Sequence, residues 1–339
     1  MAVELQDWTA RLREEYLADF IPSGGAAVKI AIAPPEWAGF VLDTLAHEAR
    51  EHGFRVAKID AAQTRVHMID QIFYAAARQV DWDASVERWL RTLLERNGLS
   101  VAADQPLENL DAIAAANGRS RTDLIAEIHR LISNSLAQNY SLTRDFRTAL
   151  IMLCWGRLNP QNVAPSDADV VKQWLLGERC SLATLKRMQI YSRIGRHNAR
   201  ILLASMAAWL HDAGASGLTL LLNLNAALTS SPAPENLVRY TRNTILDVYE
   251  VLRQFIDDTD ETTHLLLGVA AGPGLLDDPK RSVDNYTALK LRIMDDVRDE
   301  ERANPLNTMV RLGTENGISN MAPSGADTGL ACATGRIGG

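Results

Sequence analysis

VKIAIAPPEWAGFVLDTLAHEAREHGFRVAKID, residues 28–60, decides how this chain folds. Val28–Ala33 is a short apolar run of the kind that forms a buried strand. Pro34 and Pro35 stop it. Beyond them, apolar residues recur at Leu42, Leu45, Ala46 and Ala49, a helical period, and Gly53 supplies a helix-ending residue. Phe54–Ile59 is a second strand, ending at Asp60. Strand, helix and strand in so short a span predict a parallel pair joined by a right-handed crossover.

Working outward, residues 5–20 predict a helix with Trp8, Leu12, Tyr16 and Phe20 at fourfold spacing, closed by Ile21-Pro22-Ser23-Gly24-Gly25. From about 65 to 210 nearly every segment carries helical spacing, broken by Asn-Gly and Pro. Trp82 and Trp89 mark an apolar seam on a helix over 81–96. Strand patterns return at Leu218–Asn223 and His264–Ala271, separated by a helix over roughly 236–256. Their near-continuous apolar character fits strands covered by helices on both faces. The order of elements is that of a P-loop NTPase: an α/β parallel sheet flanked by helices, with a helical insertion over about 65–200, within residues 1–313. Residues 314–339, rich in Gly, Ala and Ser, predict a disordered tail.

The chain has 339 residues and a formal net charge of −7, so no global basic field draws it onto nucleic acid or acidic lipid. Cys154, Cys180 and Cys332 lie far apart, with no CxxC or Cys/His spacing for zinc and no disulfide framework. The charged N-terminus lacks a signal-peptide apolar core, and no stretch approaches a membrane span; a cytoplasmic location is expected.

Several segments resemble the ATP-binding domain proteins of BREX-type phage-defence systems. They are FIPSGGAAVKIAIA (20–33), EHGFRVAKIDA (51–61), LKRMQIYSRIGRHNAR (185–200), DAGASGLTLLLN (212–223) and LLDDPKRSVDNYTALKLRI (275–293). Their order and spacing fit over about 12–311, best over about 175–293. The resemblance implies an AAA+-like fold and a place among antiviral defence components acting on or beside DNA.

The nucleotide-site positions depart from the P-loop pattern. A phosphate loop needs free backbone N–H groups, close-approach glycines, a Lys for the terminal phosphates and a Ser or Thr for magnesium. Here the segment after the first strand reads Pro34, Pro35, Glu36, Trp37, Ala38, Gly39 and Phe40. The prolines carry no N–H, Trp37 fills space, and Gly39 and Phe40 stand where the Lys and the hydroxyl belong. Glu36 competes for the helix N-terminus; a carboxylate about 4 Å from a phosphate charge repels it by roughly 4 kcal/mol at an effective dielectric near 20. The earlier Ser23–Lys29 piece precedes the strand, so its Gly24-Gly25 reads as a turn. The second strand position should end in an acidic pair, for magnesium and for the attacking water. It ends instead in Asn223 and Leu224. The strand 264–271 ends in Ala270-Ala271-Gly272, where a polar γ-phosphate sensor would stand. No catalytic residue and no metal ligand set is expected.

The densest cationic stretch holds Lys186, Arg187, Arg193, Arg196, His197 and Arg200; it reads as a solvated face or as a contact for a partner or for DNA. Arg239 and Arg242 are candidates for a subunit contact. Asp277-Asp278-Pro279 reads as a turn rather than a metal site. The sequence therefore points to a pseudo-ATPase scaffold or regulatory subunit with no cofactor of its own. Its expected partners are defence proteins such as an ATPase, helicase or nuclease, with DNA reached through them. Two alternatives stand: an NTPase holding ATP and magnesium in an altered pose, and a DNA-binding module using residues 186–200.

Overall fold

The computed structural model describes residues 2–158, 165–229, 237–294 and 304–313. Five parallel strands form one sheet: β1 (Ala26–Ile32), β2 (Arg55–Asp60), β3 (Leu218–Asn223), β4 (Leu265–Ala271) and β5 (Met309–Arg311), in the order β2-β3-β4-β1-β5. β4 thus stands between the strand followed by the two prolines and the strand ending in Asn223. The α/β P-loop NTPase-like organisation read from the sequence is the observed fold.

Both faces of the inner strands are covered, which is why β1, β3 and β4 are apolar at nearly every position. On one face Ala27, Ala31, Leu221, Leu266 and Ala270 pack with α1 (Leu5–Leu12) and α2 (Ala38–Glu51). On the other, Val28, Ile30, Leu220, Leu222, Leu267 and Val269 enter a core shared with the helices between β2 and β3. Those are α3 (Ile69–Ala77), α4 (Trp82–Arg96), α5 (Leu110–Ala116), α6 (Arg121–Ala137), α7 (Arg144–Leu158), α8 (Pro165–Leu176), α9 (Leu182–Arg187) and α10 (Ala199–Asp212). α11 (Asn225–Leu228) follows β3, α12 (Arg242–Asp257) precedes β4, and α13 (Gly274–Asp277) and α14 (Thr287–Met294) lie between β4 and β5. The expected 236–256 helix begins later than the spacing suggests, and residues 314–339 lie outside the described residues.

The N-terminal helix differs from its expected form. After Leu12 it continues as a π-helix, Arg13–Phe20. The wider turn shifts the buried side by five residues: Trp8 and Leu12 are followed into the core by Leu17 and Ile21, whereas Phe20 is 48% exposed. Tyr16 is instead committed to Lys29, a lysine buried in β1 whose ammonium donates to the Tyr16 hydroxyl at 2.8 Å and to the Leu306 carbonyl, 4.3 Å from the centre of the Tyr16 ring. One side chain ties the π-helix and the approach to β5 onto β1.

At the opposite end of the sheet from Asn223, the His211 and His264 rings stack at 3.6 Å, nearly parallel. His264 precedes β4 in the left-handed region, φ 57°, so the strand starts one residue later than its apolar pattern suggests. Its Nδ1–H donates to the Ile21 carbonyl, 3.0 Å. Burial first, then the neighbouring His211, holds the His264 imidazole below its ordinary value, against the Ile21 carbonyl and Asp212. A histidine with a depressed folded value binds fewer protons folded than unfolded, so its contribution is complete above about pH 6.5 and is lost as pH falls through the folded value. The melting temperature is expected to fall between pH 7.5 and 5.5. His264→Asn, which tolerates the left-handed backbone, should flatten that fall in thermal melts across the range. Part of the slope will remain, because His67 is depressed in the same direction.

Candidate functional site

In open parallel sheets a ligand is held in the crevice beyond the strand C-termini. Here that rim is built from Ala33–Phe40 after β1, Asp60 at the end of β2, Asn223–Asn225 after β3 and Ala271–Gly274 after β4. The connection from β1 to α2 is a tight 3₁₀ turn, Pro35–Trp37. Trp37 N–H donates to the Pro34 carbonyl at 2.9 Å and Ala38 N–H to the Pro35 carbonyl. Two residues in this turn have no N–H, and two of the following amides are spent inside it. Gly39 and Phe40 open the first turn of α2 facing solvent, Phe40 with 54% of its surface exposed.

The β3 end is closed as tightly. Asn223 donates from Nδ2 to Asp60 Oδ2 at 3.0 Å and accepts the Asn225 N–H at 3.2 Å, while Leu224 is fully buried. The other Asp60 oxygen accepts the Ala62 amide, 2.7 Å. Asn225 reaches across the rim: Nδ2 donates to the Pro35 carbonyl at 3.4 Å, and a Cβ added at Gly272 would lie 3.0 Å from Asn225 Oδ1 and 3.3 Å from Pro35 Cγ. The turns after β1, β3 and β4 therefore pack against one another. The nearby cation, Arg281, gives its guanidinium to the backbone, donating to the Ala227 carbonyl at 2.9 Å and the Tyr240 carbonyl at 3.3 Å. Asp278 Oδ1 caps that loop by accepting from the Lys280 and Arg281 amides; Asp277 ends α13, and the expected turn follows it at Asp278-Pro279. Among the described residues no group of three His, Cys, Asp or Glu side chains could hold a metal ion.

The cationic candidates separate in space. Arg187 pairs with Asp167 at 2.7 Å, Arg200 pairs with Asp258, and Arg242 donates to Asn285 Oδ1 at 3.3 Å. Arg242 opens α12 and Arg239 lies just before it, rather than both on the helix. Lys186 is exposed on α9. Arg193 and Arg196 lie on the loop between α9 and α10, against α3. Cys154 is buried, its thiol pushed up by burial; Cys332 lies outside the described residues. A cavity of about 520 Å³ lies in the helical layer, lined by Glu87, Glu108, Arg157, Asp169 and Lys172 among others. Its two cations are already paired, Arg157 with Glu87 and Glu108 and Lys172 with Asp83, within a lining that also holds Asp81 and Asp169. Burial raises the Asp212 carboxyl, beside the stacked histidines, against its hydrogen bond from Asn139.

Sequence reasoning missed Asn225, Asp60 and Arg281 as the residues that close the rim. Asn225 stood in view two residues after Asn223, but nothing local shows that its side chain would reach the first loop.

Sheet order and rim define a member of the P-loop NTPase-like α/β class whose phosphate-side turns are packed shut. A family model, BREX system ATP-binding protein BrxC/D, matches residues 19–316, and the chain belongs to that family. Its setting is therefore a BREX phage-defence system. Comparisons with curated proteins and with solved structures give no match.

Proposed function

We propose that this chain serves its BREX system as a non-catalytic, AAA+-like subunit, a scaffold or regulator working with other proteins of the system in the cytoplasm. The supporting observation is the closed rim, with amides of the first turn spent on Pro34 and Pro35 and Asn225 seated between Pro35 and Gly272. A triphosphate needs converging free amides and a cation there. The residues present do not fit it: the first turn brings two prolines, a carboxylate at Glu36 and no Lys or Arg, and Arg281 is committed to carbonyls. The magnesium position fits no better, since Asn223 is neutral and Asp60 is already bonded at both oxygens. No helix among the described residues is long and apolar enough to cross a membrane.

The test is a thermal melt with and without 1 mM ATP and magnesium. A site with a dissociation constant near 10 µM would add about 2.7 kcal/mol, roughly 5 °C in a protein of this size. No shift is expected, and one of that size would overturn the reading. Capture of the tagged chain from its host, followed by mass spectrometry, should recover other components of the same defence system.

A further inference from the structure

We propose that Arg65, Arg193 and Arg196, with Arg78 and Tyr191 beside them, form a surface that grips the phosphate backbone of nucleic acid. This surface is separate from the strand-end rim, and the inference does not depend on how that rim is read.

The placement begins with α3. The Tyr74 hydroxyl, in the middle of that helix, donates to the Ile194 carbonyl at 2.7 Å and seats the loop between α9 and α10 on it. Ile190 and Ile194 are buried beneath the loop, so Tyr191 and Arg193, alternating with them, face outward. Arg196, one turn further on, is also exposed. The loop is held firmly: Trp174 donates to the Ser192 carbonyl at 3.0 Å, Asn198 Nδ2 to the Arg193 carbonyl at 3.1 Å, and Gly195 N–H to Asn198 Oδ1 at 2.8 Å. Arg78 lies past the C-terminus of α3, 5.9 Å from the Tyr74 ring centre. Arg65 lies before its N-terminus, on a turn pinned by Tyr240, whose hydroxyl meets the Ala61 and Thr64 carbonyls and the Val66 amide. Arg144 covers one side of the exposed Tyr191 ring at 5.2 Å.

Charge supports the same grouping. Arg196 and Arg65 both help depress His67, after burial, and Arg78 and Arg193 both act on Tyr74. The carboxylates facing this group are Asp70, which is buried, Asp247, Asp60 on the Arg65 side, and Asp145, which accepts the Ser192 hydroxyl at 3.1 Å. None of the four arginines forms an ion pair among the described residues, whereas Arg187 and Arg200, from the same basic segment, do. Exposed cations left unpaired in a chain of net charge −7, on a backbone already rigid, match a polyanion at little ordering cost. α3 is about 13 Å long at roughly 1.5 Å per residue, a length over which duplex DNA presents several phosphates. The outward Tyr191 ring offers a stacking face for an unpaired base.

Fluorescence anisotropy with a labelled DNA duplex and the matching single strand tests this. Three phosphate contacts predict a log–log salt slope of about −2.7, a loss of about 40-fold in affinity between 50 and 200 mM salt. Arg65→Gln/Arg193→Gln/Arg196→Gln should bind at least tenfold more weakly at 50 mM with a flattened slope. Lys186→Gln/Arg187→Gln should bind as the wild type, and the triple Arg→Lys variant should retain most binding. The arginines are exposed and form no ion pair among the described residues, so unchanged melting temperatures are expected. A duplex preference assigns backbone contact alone, and a single-strand preference that falls with Tyr191→Ala adds stacking; both support the proposal. It is overturned if the wild type binds neither DNA at 50 mM, if the Gln variant binds like the wild type, or if a polyglutamate peptide binds more tightly than either strand form.

Discussion

Gly217→Ala is expected to destabilise the fold by about 3–5 kcal/mol, through left-handed backbone strain plus steric overlap. Gly217 enters β3 at φ 148°, and a Cβ there would lie 2.4 Å from the His264 carbonyl oxygen and 3.0 Å from Phe54. That oxygen cannot retreat cheaply, because it accepts the Leu218 amide at 2.8 Å and starts the β3–β4 ladder. Gly217 itself accepts the Arg55 amide at 3.0 Å, so movement in either direction breaks a strand pairing. At roughly 2–4 °C per kcal/mol, the melting temperature should fall by about 10 °C. Gly214→Ala is the control: φ is 85°, yet the nearest atom is the flexible Arg88 Cδ at 3.3 Å, so only about 1 kcal/mol of conformational cost is expected. Equal losses in thermal melts of the two variants would refute the steric part of the argument.

The sheet was legible because β1, β3 and β4 are buried on both faces, which leaves uninterrupted apolar runs such as LTLLLN and LLLGVAA. β5 was not, since a three-residue edge strand, Met309–Arg311, is too short to carry a period. The π-helix was hidden for a related reason. Trp8, Leu12, Tyr16 and Phe20 satisfy fourfold spacing whether or not the chain widens, and only the core's demand for Leu17 and Ile21 decides. His264 at positive φ has no sequence signature beside an apolar run. At the rim, residue identities such as Pro34, Pro35 and Asn223 could be read directly. The reach of Asn225 to Pro35, and of Arg281 to the Ala227 and Tyr240 carbonyls, is tertiary. Arg65 escaped notice because it joins Arg193 and Arg196 only through α3.

The rim also explains how such a sheet stands without a phosphate loop. A glycine-rich loop loses much backbone entropy on folding, whereas prolines compatible with the native turn limit the unfolded chain instead. Pro34 and Pro35 sit where that difference favours the folded state, and the turn they form closes its own hydrogen bonds. Opening the rim by restoring Lys and Thr at positions 39 and 40 would leave Asn225 and the spent amides in place, so two substitutions should not create a nucleotide site.

Trp209→Ala is expected to cost about 4 kcal/mol, the loss for a fully buried aromatic replaced by a methyl group. The ring is fully buried in α10, 5.4 Å from Trp89 of α4, with its Nε1–H donating to Ser85 Oγ at 3.4 Å. α10 packs on β3 and α3, so Trp209 joins the helical layer to the sheet; Trp82, the other residue of the predicted seam, packs on Phe146 instead. One continuous set of buried side chains runs from β1 and β3 through this pair into α6 and α7. A void at that junction should lower the whole transition, not release the helices alone. Urea unfolding followed by far-ultraviolet circular dichroism and by tryptophan fluorescence should give one coincident transition, at a reduced midpoint and with an unchanged slope. A two-step curve in which the helical signal is lost first would mean that the layer between β2 and β3 folds as its own unit.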